Sequence, residues 1–164
     1  MHHTPESTVL SMPRHYEQAS AGQQIPWSFA EHRLSNATIF WLATTRPNGS
    51  PHVTPVWGVW VDDSLYFTGI PTAAWARNLN VNANASIHLE SGTEVVILDG
   101  WVEDLETVAD PSIAGAIVYR WSEAYGKLVP DPVGDGMYCF RARTVRGWSR
   151  FPEDATKWTF EHRA

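Results

Sequence analysis

The sequence predicts a mainly β fold: a six-stranded antiparallel barrel with two or three peripheral helices packed at its ends. Three observations carry this. Short stretches of β-branched and aromatic residues recur along the chain, joined by Asn, Gly, Asp and Ser clusters of hairpin length. Pro55 and Gly100 interrupt two of these stretches, as the edges and corners of a small barrel require. Helical periodicity appears only in brief segments between the strands.

The 164 residues suffice for one domain that buries roughly 70% of its unfolded surface. Residues 1–25, rich in His, Pro, Ser, Gln and Gly, predict a flexible N-terminal segment, and residues 26–164 the domain. The first organised element is a short helix near Trp27, where Ser28 and Glu31 have capping-box spacing ahead of Phe29, His32 and Leu34. Thr38, Ile39, Phe40, Trp41 and Leu42 predict a strand over 37–45 buried on both faces. The turn residues 46–50 lead into a strand over 51–61, with His52, Thr54, Val56, Gly58 and Trp60 on one face and Val53, Pro55, Trp57, Val59 and Val61 on the other. Pro55 lacks an amide hydrogen, so this strand lies at an edge, at a bulge, or beside something other than a strand.

Asp62 to Ser64 turn the chain into a third strand over 65–69, and Ala73, Ala74, Ala76 and Leu79 predict a helix within 71–82 with Thr72 as its cap. Alternation returns over 85–90, and a long strand over 94–105 contains Gly100 as a bulge or bend. Asp110 and Pro111 start a helix whose stripe is Ile113, Ile117, Val118, Trp121 and Tyr125 and which ends near Gly126. A loop over 129–136 precedes the last strand, 137–145, and a tail with Trp148, Phe151, Trp158 and Phe160.

Eighteen acidic against twelve basic residues give a net charge of -6, which argues against a phosphate-tracking nucleic-acid surface. Cys139 is the only cysteine, so the chain has no internal disulfide. With no signal-like run and no stretch of about 18 apolar residues, a cytoplasmic location without a membrane span is expected. Nine tryptophans exceed what one small core buries completely, so some line an interface or a pocket. The dinucleotide, Walker, zinc-protease and serine-hydrolase motifs are missing, and the seven histidines lack metal-site spacing. His52 and His88 are either residues facing one cavity or structural residues. Between Arg46 and Arg120 the only Lys or Arg is Arg77, either a solvated helix residue or the one cation this segment offers an anion such as a phosphate.

The runs Ile39-Phe40-Trp41-Leu42-Ala43-Thr44-Thr45, Asn48-Gly49-Ser50-Pro51-His52-Val53-Thr54-Pro55-Val56-Trp57, Leu65-Tyr66-Phe67-Thr68-Gly69 and Ala76-Arg77-Asn78-Leu79 resemble the pyridoxamine 5'-phosphate oxidase-like split β-barrel superfamily. Within it the chain is similar to the actinobacterial flavin and deazaflavin branch that uses coenzyme F-420, and the tail 148–160 resembles the tail of those proteins. The resemblance implies an FMN-binding split barrel and a homodimer whose two copies form the cofactor cleft. It implies that Thr54, Pro55, Val56 and Trp57, with the backbone to Gly58, meet the isoalloxazine or deazaflavin ring. Thr68 and Thr72 then approach the cofactor tail, and Arg77 and Asn78 its phosphate.

One departure stands out. Where members of the family carry Ser or Thr and then Lys ahead of Arg-Asn-Leu, this chain has Ala73-Ala74-Trp75. A lost phosphate-binding ammonium costs roughly ten- to a hundredfold in affinity, and Trp75 could instead stack on a ring or cover an apolar ligand. The resemblance implies an oxidoreductase in which reduced F-420 delivers a hydride to an unsaturated small molecule, with Tyr66, His52 or water as proton donor. Two alternatives stay open: an FMN-dependent oxidase or reductase, and a non-catalytic binder of a planar or apolar ligand such as a flavin, haem or fatty acid. A purely structural module is the fourth reading.

Overall fold

Six strands close on one another because each turns one row of side chains to a common interior. The computed structural model describes residues 4–17, 22–126, 129–131 and 137–161. β1 (Glu6–Val9) and a one-turn helix α1 (Arg14–Glu17) precede α2 (Trp27–Asn36), β2 (Ile39–Thr45), β3 (Pro51–Val61) and β4 (Ser64–Phe67). α3 (Ala74–Val81), β5 (Asn84–His88), β6 (Val95–Leu105), α4 (Pro111–Tyr125), β7 (Met137–Trp148) and β8 (Thr156–Thr159) complete the chain. All pairings are antiparallel, in the order β1-β8-β7-β4-β3-β2-β5-β6, and β6 pairs back onto β7. β2 to β7 are therefore the six strands of the barrel, and β8 and β1 extend the sheet beyond it. No helix among the described residues is long and apolar enough to cross a membrane.

Two strands change partner along their length. Residues 51–57 of β3 pair with β2, and Gly58–Val61 pair with β4. Residues 138–141 of β7 pair with β4 and 144–147 with β8, while its other edge follows β6 throughout. The β3–β4 hairpin turns on Asp62 and Asp63, both left-handed at φ 48° and 55°, the geometry of a two-residue turn that fits strand twist. The register slips between Asp99 and Gly100, where a Cβ on Gly100 would stand 1.9 Å from the Arg141 carbonyl oxygen. Only glycine lets β6 and β7 approach so closely there.

Two cores result. The barrel interior holds Phe40, Leu42, Val56, Leu65, Phe67, Ile87, Leu98, Phe140 and Trp158, closed by Trp27 and Leu34 of α2 and by Trp75 and Leu79 of α3. The second core lies outside the barrel wall: α4 sets Ile117 and Trp121 against Val59, Tyr66, Met137 and Cys139. The rest of the outer wall has no buried side chain along two rungs. One runs Pro55, Trp41, His88, Ile97, Arg146 and Lys157, the other Val53, Ala43, Ser86, Asp99 and Thr144, and all are half-buried or exposed.

Several expectations need correction. The first organised element is β1, which pairs with β8, not the helix near Trp27. α2 is capped by Pro26 without a side-chain bond, so Ser28 lies inside the helix and forms no capping box. Strand β2 is buried on one face only, because its other face, Ile39, Trp41, Ala43 and Thr45, belongs to the open wall. α3 begins at Ala74 with Ala73 at its cap position, and Thr72 stays outside it. In α4, Asp110 does cap, accepting from the Ser112 amide at 2.8 Å, but Val118 of the expected stripe is exposed. β4 ends at Phe67, and β7 continues to Trp148. The loop expected over 129–136 lies, from 132, outside the described residues. Of the nine tryptophans, Trp27, Trp60, Trp75, Trp121 and Trp158 are buried, and Trp57 is 51% exposed.

Candidate functional site

The candidate site lies where the β3–β4 hairpin splays. Gly58 and Phe67 form its last pair, so Trp57 and Thr68 stand on either side of the opening, and β3 from 51 to 57 has no second partner strand among the described residues. α3 packs against β2 and β3 beside this opening. The backbone direction follows from Gly58. Its amide donates to the Tyr125 hydroxyl at 2.9 Å and its carbonyl accepts from the same group at 2.9 Å, on the β2 side. Strand alternation then turns the peptide groups of Val53 and Pro55 toward the free edge. Val53 offers an N–H and a carbonyl there, and Pro55, which has no N–H to lose, only a carbonyl.

The predicted residues divide into three groups. Thr54, Pro55, Trp57, Thr68 and Thr72 are half-buried or exposed at the opening, and Arg77 is exposed on α3. Arg77 donates to the Thr72 carbonyl, which ties the 72–77 segment together, and among the described residues it has no carboxylate partner. Val56 and Asn78 are buried: Val56 fills the barrel, and the Asn78 amide donates to the Thr44 hydroxyl at 3.0 Å, fixing α3 to β2. Trp75 is also buried, with Tyr138 edge-on at 4.8 Å and Phe67 at 5.5 Å. Its ring is packed edge-on and tilted within the core rather than facing solvent, and it lies close against the preceding loop, since a Cβ on Gly69 would come within 2.4 Å of its indole.

The titratable candidates separate as well. Tyr66 lies under α4 on the covered wall, where burial, with the neighbouring Cys139, pushes its hydroxyl far above the ordinary tyrosine range. Its side chain is therefore packed beneath α4, on the row of Val59, and not at the open edge of β3. His52 stands opposite Thr44 on the inward row, whereas His88 stands opposite Trp41 on the outward row, stacked on that indole at 6.2 Å. The two histidines therefore face opposite sides of the wall. Sequence reasoning missed Tyr125 as a site residue. Its place in the apolar stripe of α4 predicts packing, and nothing local predicts that its hydroxyl reaches a strand 67 residues away.

None of the nine predicted residues lines either of two cavities found among the described residues. One of about 500 Å³ lies between the end of α2 and the β5–β6 turn, lined by His32, Arg33, Glu90 and Glu94 among others. Another of about 500 Å³ lies on the open wall, over Thr45, Asn84, Ser86, Asp99 and Arg143. There Asp99 accepts from Ser86 at 2.6 Å and pairs with Arg146, while Arg143 donates to Asn84 at 2.8 Å and lies over the Trp101 ring. The splayed edge is an open surface in one copy.

Among solved structures, an F-420 reductase is 25% identical, with a TM-score of 0.53 over 70% of this chain and 94% of its own. A FAD-binding protein from Mesorhizobium loti is 15% identical, with a TM-score of 0.59 over 84% of this chain and 96% of its own. HutZ, a haem storage protein from Vibrio cholerae, is 19% identical, with a TM-score of 0.55 over 69% of this chain and 87% of its own. The last two likenesses are of fold alone. The comparison with curated proteins found no match. A profile of the pyridoxamine 5'-phosphate oxidase family matches residues 29–149, from α2 to the end of β7. The chain belongs to the pyridoxamine 5'-phosphate oxidase family.

Proposed function

We propose that the chain is a flavin- or deazaflavin-binding oxidoreductase, a coenzyme F-420-dependent reductase acting on an unsaturated small molecule. The observation that carries this reading is the free edge of β3 together with Arg77 on α3, which has no carboxylate partner among the described residues. A planar heterocycle with alternating donors and acceptors fits an edge that presents the Val53 amide and the Val53 and Pro55 carbonyls. An anionic tail fits Arg77 and the Thr68 and Thr72 hydroxyls. Bound there, reduced F-420 supplies a hydride to the acceptor. The chain binds and orients the ring, and His52, on the same row as Thr54, is the remaining titratable side chain near the edge to hold a proton.

The reading includes a homodimer. A ring on an open edge is exposed to water, and a second copy placed on the unburied outer wall, with Val53 52% and Trp57 51% exposed, would close the cleft. The F-420 reductase likeness supports the deazaflavin over FMN. One observation favours a second reading, a non-catalytic carrier of a planar ligand such as haem. Trp75 stands where the family's Lys is expected and is committed to the core, so the phosphate grip rests on Arg77.

Equilibrium titration of F-420, FMN and haem, followed by tryptophan fluorescence, separates these readings. The expected result is micromolar F-420 binding that weakens roughly ten- to a hundredfold in Arg77→Ala. Binding of haem alone would sink both redox readings.

A further inference from the structure

The Tyr125 hydroxyl takes the place of a backbone rung. Pairing between β2 and β3 ends at Ile39 and Trp57, and the next pair, Thr38 with Gly58, is not made. Instead the Gly58 amide donates to Tyr125 Oη at 2.9 Å, and the Tyr125 hydroxyl donates to the Thr38 carbonyl, sharing its proton with the Gly58 carbonyl at 2.9 Å. One phenol bridges two strands at the residue where β3 changes partner from β2 to β4. The ring completes the contact. It lies flat on Trp57 at 5.1 Å and 12°, and its neighbour one helical turn back, the buried Trp121, backs it at 5.0 Å. Gly58 leaves no slack, since a Cβ there would stand 2.8 Å from the Tyr66 carbonyl oxygen.

We propose that Tyr125 is a positioning residue of the ring site: through Trp57 and the Gly58 backbone, it fixes the angle at which the free edge from Val53 to Trp57 meets a planar cofactor. This rests on the reading that the ring binds that edge. A strand that hands over from one partner at Trp57 to the next at Gly58 is held by one edge at a time on either side of the change-over and can rock about it. The hydroxyl bridge removes that freedom from one side and the indole stack from the other. α4 thereby holds the edge through the residue at its C-terminal end, Tyr125. Pre-organisation of this kind acts on affinity by removing an ordering cost that the ligand would otherwise bear.

The test uses Tyr125→Phe, which removes the bridge and keeps the stack, and Trp57→Leu, which removes the stack and keeps the bridge. F-420 and FMN are titrated into the full chain by ligand absorbance, and Trp57 is followed by acrylamide quenching as the difference from Trp57→Leu. Tyr125→Phe is expected to weaken the cofactor that the wild type binds roughly five- to tenfold, the scale of one neutral hydrogen bond. It is also expected to raise the quenching of Trp57 in ligand-free protein. In the double variant the affinity losses do not add, as expected of residues acting through one path. Ile117→Val, which loosens the same helix without touching Trp57, is expected to change neither readout. Equal affinity in wild type and Tyr125→Phe, additive losses, or an equal loss in Ile117→Val overturns the positioning role and leaves the cofactor reading standing. Failure of the wild type to bind either cofactor overturns both.

Discussion

The two halves of the barrel's outer wall differ in what covers them. Under α4, Val59, Tyr66, Met137 and Cys139 pack against Ile117 and Trp121 and form a core. Along the two rungs that cross β2, β5, β6 and the second half of β7, the corresponding side chains stay half-buried or exposed, among them Trp41, His88, Ile97 and Arg146. β3 belongs to both halves: Val59 is buried under the helix, and Val53, Pro55 and Trp57 on the same row are exposed. A strand face that is apolar along its whole length yet covered along half of it leaves the uncovered half as a candidate surface for a ligand or a partner. In the reading proposed above, that surface receives a cofactor at its edge and a second copy over its face.

Substitutions of the same kind in the two halves should have opposite signatures. Trp121→Ala is expected to cost about 3–5 kcal/mol in urea unfolding, with the cavity left unfilled. Trp57→Ala is expected to cost only about 1 kcal/mol, the value of its stack on Tyr125, while weakening self-association. Comparable stability losses would erase the distinction. Gly100 marks the border on β6, and Gly100→Ala should destabilise by about 3 kcal/mol, because backbone has to move away from the new methyl.

Asp154 tests the sheet extension. It is buried, which opposes its ionisation, but the Ser149 hydroxyl and the Ser149 and Arg150 amides donate to it at 2.6, 3.1 and 2.9 Å and hold its pKa below the usual 3.8. A depressed folded pKa stabilises the fold above about pH 4, and that contribution is lost as the pH falls through the folded value. Asp154→Asn is expected to lower stability at pH 7 by about 1–2 kcal/mol and to flatten the acid limb of a plot of Tm against pH. The smallest effect belongs to the cap of α4. Asp110→Ala should lower the unfolding midpoint slightly, through loss of the cap, and leave self-association unchanged.

Much of this fold is legible in the sequence where the cause is local. Asp110 and Pro111 start α4 because a capping carboxylate and a proline without an amide suit that position and few others. β3 is read to the residue because alternation and turn residues bound it at both ends. The bulge follows from one glycine in a long strand. What escapes the sequence is pairing at a distance. β1 meets β8 across some 150 residues, Glu6 opposite Thr159, and nothing near Glu6 announces it. The candidate site divides in the same way. The free edge at Pro55 is read from a missing donor, whereas Trp75 in the core and the Tyr125 bridge depend on which way a helix rolls against the barrel.

The central claim is that the open wall and the free β3 edge form one site, completed by a second copy. Sedimentation velocity of the full chain, with and without saturating F-420 or FMN and with absorbance read at the cofactor's own wavelength, tests it most directly. The account predicts cofactor travelling with a dimer, and both dimer and bound cofactor lost in Val53→Asp. Cofactor travelling with a monomer, or a Val53→Asp variant that is monomeric and still binds with full affinity, would contradict it.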